Sequence, residues 1–335
     1  MNKGHRIGYI DIAKGVGIWL MIFGHQYISD LTRTYIYSFH MPLFFMISGM
    51  FFCKGVAFGQ TLKSSVRMLL IPYLVFSVIN LSVCWVSPLL HPELYYGMQG
   101  KAVFVAAVKG MLIGTDHITP TSFMPLGMLW FVVALFIIRV VCGALGQLIE
   151  ADVFFLLFSF CIALSLFLLV RSNAVFSFRS AMMAMPFYLL GYMLRSVDML
   201  TISYRSLLLT ACAVYFIMVV PDNGFCTIDE CIFGKSLVMF YLDGMIGSLM
   251  LLLIASYIYS CKPLEYVGRN TLVILGMHPL CSIPIKVASV YIWGSDVLCS
   301  PYYLIIAPVL IIMVTLVFIY LINRYLPAIK ISYKS

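Results

Sequence analysis

Hydrophobic and polar positions alternate along this chain in long blocks: apolar runs of about twenty residues, separated by short polar stretches. A run of that length is what a helix needs to cross the ~30 Å hydrocarbon core of a bilayer. Ten such segments are predicted, over Ile7–Ile28, Tyr35–Phe52, Val66–Leu90, Leu126–Leu148, Val153–Val170, Ser180–Leu194, Ser206–Val220, Leu237–Ser260, Asn270–Trp293 and Tyr302–Leu326. The predicted fold is all-α: a polytopic membrane protein, a bundle of about ten transmembrane helices, forming one integral-membrane domain over residues 1–335. The first run is too long and too charged for a cleaved signal peptide and is expected to stay as a helix.

The first run breaks its own pattern. Asp11, Lys14 and His25 interrupt otherwise apolar sequence. A charged side chain deep in a bilayer costs roughly 2.5–3.5 kcal/mol on insertion scales, so such residues face a protein interior or a watery path. Lys14 and His25 are eleven residues apart, about three helical turns, which puts both on nearly one face with ~16 Å between them along the axis. Asp11 lies one turn before Lys14, within pairing reach. A cation near one end and an imidazole near the other suit an elongated anionic cofactor that delivers a group across the membrane.

Composition agrees with the membrane reading. The 335 residues are 63% hydrophobic and 10% charged, and the mean hydropathy is +1.03, outside the range of soluble domains. With the N-terminus inside, Lys and Arg favour the cytoplasmic segments by about two to one, which places both termini in the cytoplasm. That asymmetry and anionic lipid head groups account for the net charge of +8, so nucleic acid is not an expected partner. Ten cysteines are scattered without metal-ligand spacing, and no metal site is expected. Cys226 and Cys231 share an external loop, Asp222–Ser236, where oxidising conditions permit a disulfide.

Two other stretches carry unusual residues. His91–Pro125 is too polar in places to span, yet Ala102–Ile113 reads either as a short interfacial helix capping an external cavity or as a surface loop with an apolar patch. The second run contains His40, at about the depth of His25, followed by Pro42, which frees a carbonyl and bends the helix. Ser48 and Gly49 on the same helix allow a neighbouring helix to approach closely.

Asp11-Ile12-Ala13-Lys14-Gly15 with Gly24-His25 resembles the Arg/Lys-x10-His motif of acyltransferase family 3, the integral-membrane acyltransferases. Ser38-Phe39-His40-Met41-Pro42-Leu43-Phe44-Phe45 with Ser48-Gly49, Arg67 with Ile71-Pro72-Tyr73, Leu129-Trp130-Phe131 and Gly268-Arg269-Asn270-Thr271-Leu272 with His278 continue the resemblance in the family's order. It covers most of the chain. The resemblance implies a transferase that moves acyl groups, usually acetyl from acetyl-CoA, onto sugars of surface polysaccharides, peptidoglycan or small glycosides. It also implies the bacterial cytoplasmic (inner) membrane as location. Some members carry a C-terminal hydrolase-like domain; here the chain ends soon after its last span, so a stand-alone member is expected.

The chemistry of the residues fits. Removing a proton from a sugar hydroxyl needs a base active near neutrality, and imidazole is that base. His25, His40 and Asp11 are the candidate catalytic residues, with His25 as the base. Lys14, Arg67, Arg139 and Ser48 are assigned to acetyl-CoA, whose phosphates call for cations. Asp243, His278 and Trp130 are assigned to the acceptor, a sugar or lipid-linked glycan. Each has a plainer reading. Lys14 pairs with Asp11, Arg67 anchors the inner surface, and Arg139 snorkels. Asp243 and Lys286 belong to buried ion pairs, or Asp243 orients an imidazole; His278 bonds a neighbouring helix; Trp130 is packing. A transporter or flippase also fits intramembrane charge, but nothing like the Asp11–Lys14–His25 pattern recurs in the second half, as an inverted repeat would require.

Overall fold

The computed structural model describes residues 8–90, 104–105, 108–111, 129–169, 177–197, 199–258 and 260–325. Helices α1 (Gly8–Gly24), α2 (Asp30–Met50), α3 (Phe58–Ser65) and α4 (Ile71–Leu90) come first, with a π-helical turn over Val66–Leu70 joining the last two. Then follow α5 (Trp130–Leu145), α6 (Asp152–Leu169), α7 (Phe178–Leu194) and α8 (Arg205–Asn223). A two-stranded hairpin, β1 (Cys226–Thr227) and β2 (Ile232–Phe233), leads to α9 (Leu237–Tyr257), α10 (Lys262–Arg269), α11 (Thr271–Trp293) and α12 (Pro301–Tyr325).

The described part of each of the ten predicted apolar segments overlaps one or more of these helices. Six helices among the described residues are long and apolar enough to span a bilayer: Phe58–Ser82, Asp152–Leu169, Arg205–Asn223, Leu237–Tyr257, Thr271–Trp293 and Pro301–Leu321. The protein is thus a polytopic helical membrane protein. Two differences from expectation have simple causes. The third span begins at Phe58 rather than Val66, because Lys63 and Arg67 dilute the apolar signal of a helix that continues through them. Helix α10 falls between two predicted segments, since eight residues holding Lys262, Glu265 and Arg269 give no membrane signal. Of Ala102–Ile113, residues 104–105 and 108–111 are helical; the rest of that stretch, with His91 and His117, lies outside the described residues, as does His5.

The chain divides into two compact units. The first comprises Met1–Met50, Gly191–Thr227 and Ile232–Ser335; the second comprises Phe51–Leu190 and Ile228–Cys231. In the first, α1 contributes Tyr9, Ile10, Ile12 and Ala13 to a core shared with Phe39, Leu43 and Ile47 of α2, Phe216 and Val220 of α8, and Leu251, Leu252 and Leu253 of α9. In the second, Phe76, Phe155, Phe187 and Tyr188 are fully buried. There the Lys54 ammonium donates to the Asp152 carboxylate at 2.6 Å and to the Glu150 carbonyl.

Within the first unit α1 and α10 meet backbone to backbone. A Cβ on Gly268 would occupy the Asp11 carbonyl, and one on Gly15 would collide with that of Leu264. Neither obstacle is a flexible side chain, so neither can move aside. Gly268→Val is therefore expected to destabilise the protein by about 1–3 kcal/mol or more. A lowered Tm and loss of the monodisperse peak on gel filtration in detergent would report it; a Tm equal to the parent's would show that the helices can part without penalty.

Candidate active site

Three imidazoles converge where α1 ends. His25 follows the last residue of α1, His40 lies midway along α2, and His278 lies in the first third of α11. The rings of His25 and His278 lie 5.9 Å apart and nearly parallel. Tyr37, one turn before His40 on the same face of α2, bridges the other pair. Its hydroxyl is 3.3 Å from His25 Nδ1, and its ring meets that of His40 edge-on at 4.9 Å. Sequence reasoning found all three histidines and missed Tyr37, although the i, i+3 spacing from His40 puts it on the right face.

Local sequence sets the protonation of two of the rings. His40 donates Nδ1–H to the Ile36 carbonyl at 2.8 Å. His278 donates Nδ1–H to the Leu275 carbonyl at 2.8 Å and to that of Ile274 at 3.2 Å. The reason lies in the next residue. Pro279 has no N–H, so the Leu275 carbonyl loses its helical donor and the imidazole takes the place. A carbonyl can only accept, so both rings carry their proton on Nδ1 and present Nε2 as a lone pair. In His278 that Nε2 is buried and, among the described residues, without a hydrogen-bond partner. Such an atom costs free energy unless something supplies a proton donor. His25 is the least buried of the trio, partly covered where His40 and His278 are 3% and 2% exposed.

The cluster is recessed. His278 precedes the end of α11 by fifteen residues, so that helix runs on for ~22 Å past the imidazoles. Two cations flank the turn after His25 on that side. Arg33 reaches the Gln26 carbonyl at 3.5 Å, and the Lys286 ammonium sits 5.5 Å over the Tyr27 ring.

A second polar group occupies the other end of α1. Asp11 is buried and paired with Lys14 at 3.4 Å and with Arg269 of α10 at 3.2 Å. Arg269 also pairs with Glu265 at 3.3 Å, and Glu265 accepts from Ser260 Oγ and the Cys261 amide. Asp11 thus lies ~21 Å along α1 from His25 and is not brought to the imidazoles. The sequence contained Lys14's partner in Asp11 but gave no sign that Arg269 joins them.

Asp243 forms a third group. It is 1% exposed and accepts from Tyr215 OH at 3.0 Å and Asn223 Nδ2 at 2.9 Å. Among the described residues no imidazole bonds to it. Asn223 in turn accepts from the Ser236 amide and donates toward Cys226 Sγ, so Asp243 pins the base of the β1–β2 hairpin. Cys226 and Cys231 are both free thiols. Burial, aided by the Asp243 carboxylate, pushes the Cys226 thiol up to about 12, and burial also raises that of Cys231. Both therefore stay protonated at neutral pH, the form that does not attack disulfides.

The other predicted residues are dispersed. Ser48 is eight residues past His40 on α2, ~12 Å along the axis. Arg67, Arg139 and Trp130 belong to the second unit. There Arg67 is exposed in the π-helical turn, Arg139 is half-buried on α5, and Trp130 is buried edge-on to Phe131 at the start of α5.

No curated protein and no solved structure matches the chain. A family model does: that of the acyltransferase domain of acyltransferase family 3, which matches residues 7–324. That span contains all three imidazoles, the Asp11–Lys14–Arg269 group, the whole second unit and most of the first. The chain belongs to acyltransferase family 3 and is a membrane-embedded acyltransferase.

Proposed function

We propose that this acyltransferase moves acetyl from cytoplasmic acetyl-CoA to a hydroxyl of a sugar or lipid-linked glycan outside a bacterial cytoplasmic membrane, with His25 as general base. The observation that carries the reading is the grouping of three imidazoles at one end of α1, with Lys14 in a charged group ~16 Å away at the other.

The steps follow from that arrangement. His25 takes the proton of the acceptor hydroxyl, and the oxygen attacks the thioester carbonyl carbon. The C–S bond breaks, and the departing thiolate takes the proton back from the imidazolium, leaving an ester and free CoA thiol. The thioester is already activated, so no nucleophilic side chain is needed. Among the described residues the Nε2 of His278 has no partner, which suits it to accept from a second, neighbouring hydroxyl of the acceptor sugar, with His40 supporting the same cluster. Lys14 binds the anionic head of the donor, with Ser48 as a further contact. Asp243 acts on the acceptor side through the β1–β2 hairpin whose base it holds. The pantetheine arm then lies along α1 from Lys14 toward His25.

Topology makes this testable. With both termini cytoplasmic, acetyl-CoA supplied at the cytoplasmic face of oriented proteoliposomes is expected to acetylate an impermeant acceptor on the opposite face. The acceptor is first identified by the acetyl-mass difference between surface glycans of parent and deletion strains. Product that forms only when both substrates share one face would refute transfer through the membrane.

A further inference from the structure

The geometry points to Tyr37 as the residue that fixes the tautomer of His25: its hydroxyl oxygen accepts Nδ1–H and thereby leaves Nε2 as the basic nitrogen. This inference rests on His25 being the base, as proposed above.

His40 and His278 each spend Nδ1–H on a backbone carbonyl, which makes their tautomers a property of their helices. His25 has just left α1, and its Nδ1 faces the Tyr37 hydroxyl at 3.3 Å. A hydroxyl can donate or accept, so the pair admits two arrangements. If Tyr37 donates, Nδ1 is the unprotonated nitrogen, and the only lone pair on the ring is covered by the very group that bonds it. Such a ring cannot take a proton from a substrate. If Tyr37 accepts, Nδ1 carries the proton and Nε2 is open. A base therefore requires the second arrangement. Nδ1–H remains a donor after Nε2 is protonated, so the same oxygen also holds the imidazolium in place. In a Ser-His-Asp triad a carboxylate has this task; here a phenol oxygen takes it.

The packing around Tyr37 suits a positioning residue. Its ring is held edge-on to His40 at 4.9 Å and against Phe225 at 5.3 Å. It also covers Gly24, the residue before His25: a Cβ added there would meet the Tyr37 ring at 3.1 Å. Main chain and side chain of the His25 turn are thus gauged by one residue. Tyr37→Phe keeps these ring contacts and removes only the oxygen.

The test reads the tautomer directly. Full-length protein with 15N-labelled histidine, in lipid bilayers, is examined by solid-state NMR, with His25→Gln identifying the His25 signals by difference. In the parent, His25 is expected to show a protonated Nδ1 and an unprotonated Nε2. In Tyr37→Phe that assignment should give way to a mixture of both tautomers, while the signals of His40 and His278 stay in place. Turnover should fall about 10- to 100-fold, the range for a hydrogen bond to a charged group, with the KM for acetyl-CoA unchanged. An unprotonated Nδ1 in the parent, or an unaltered His25 tautomer or rate in Tyr37→Phe, would overturn the assignment. Should His25 prove not to be the base, His25→Ala would remain active whatever the NMR shows, so the two failures are separable.

Discussion

His25→Ala is expected to abolish detectable acyl transfer while expression, Tm and acetyl-CoA binding stay near those of the parent. Loss of a general base costs about 10²- to 10⁴-fold. The fold should tolerate the change because His25 follows the last residue of α1 and its backbone bond to the Met21 carbonyl does not depend on the side chain. Binding should survive because the donor's phosphates are assigned to the opposite end of α1. The measurement is transfer of labelled acetyl to the acceptor, beside a binding isotherm for acetyl-CoA. Retained turnover would remove His25 from the mechanism. Loss of turnover together with loss of binding would move it from base to donor contact.

Lys14→Ala is expected to weaken acetyl-CoA binding by about 10- to 100-fold, since a charge-assisted hydrogen bond contributes about 1.5–3 kcal/mol. Lys14→Arg should keep most of the affinity. The competing account, that Lys14 merely neutralises Asp11, makes a different forecast: lower stability with an unchanged Kd. The structure keeps the two apart. Asp11 retains Arg269 at 3.2 Å when Lys14 is removed, so the buried carboxylate is not left unpaired and the variant should fold well enough to be titrated. Calorimetry of the purified variant decides, and an unaltered Kd would assign Lys14 to the ion pair alone.

What could be read from the sequence was what depends on neighbours a few residues away. Apolar blocks placed the helices, and the eleven-residue spacing put Lys14 in the first half of α1 and His25 just past its end, ~16 Å apart along the axis. The Asp11–Lys14 pair was visible because it spans one turn. Arg269 was not, because it lies 258 residues from Asp11 and only packing brings it there. Tyr37 was hidden by composition, being one of 21 tyrosines in a chain where most serve as amphipathic packing. Asp243 shows the opposite case. Its charge in an apolar helix drew attention, yet its partners Tyr215 and Asn223 lie on α8, and its polarity serves a hairpin. The bond between His278 and the Leu275 carbonyl was written plainly in the dipeptide His278-Pro279, for a proline always leaves one carbonyl without its donor.

The separation between Asp11 and Arg269 also has a consequence in time. Chains are synthesised at about 5–20 residues per second, so Arg269 emerges about 13–50 s after Asp11. Throughout that interval α1 must reside in or beside the bilayer with a carboxylate whose long-range partner does not yet exist. Lys14, one turn away, is already present and can neutralise it at once. The nascent first helix is therefore handed to the membrane as a paired, nearly neutral segment, and α10 completes the pair when it arrives. On this view the spacing of Asp11 and Lys14 is as much a provision for insertion as a feature of the finished protein.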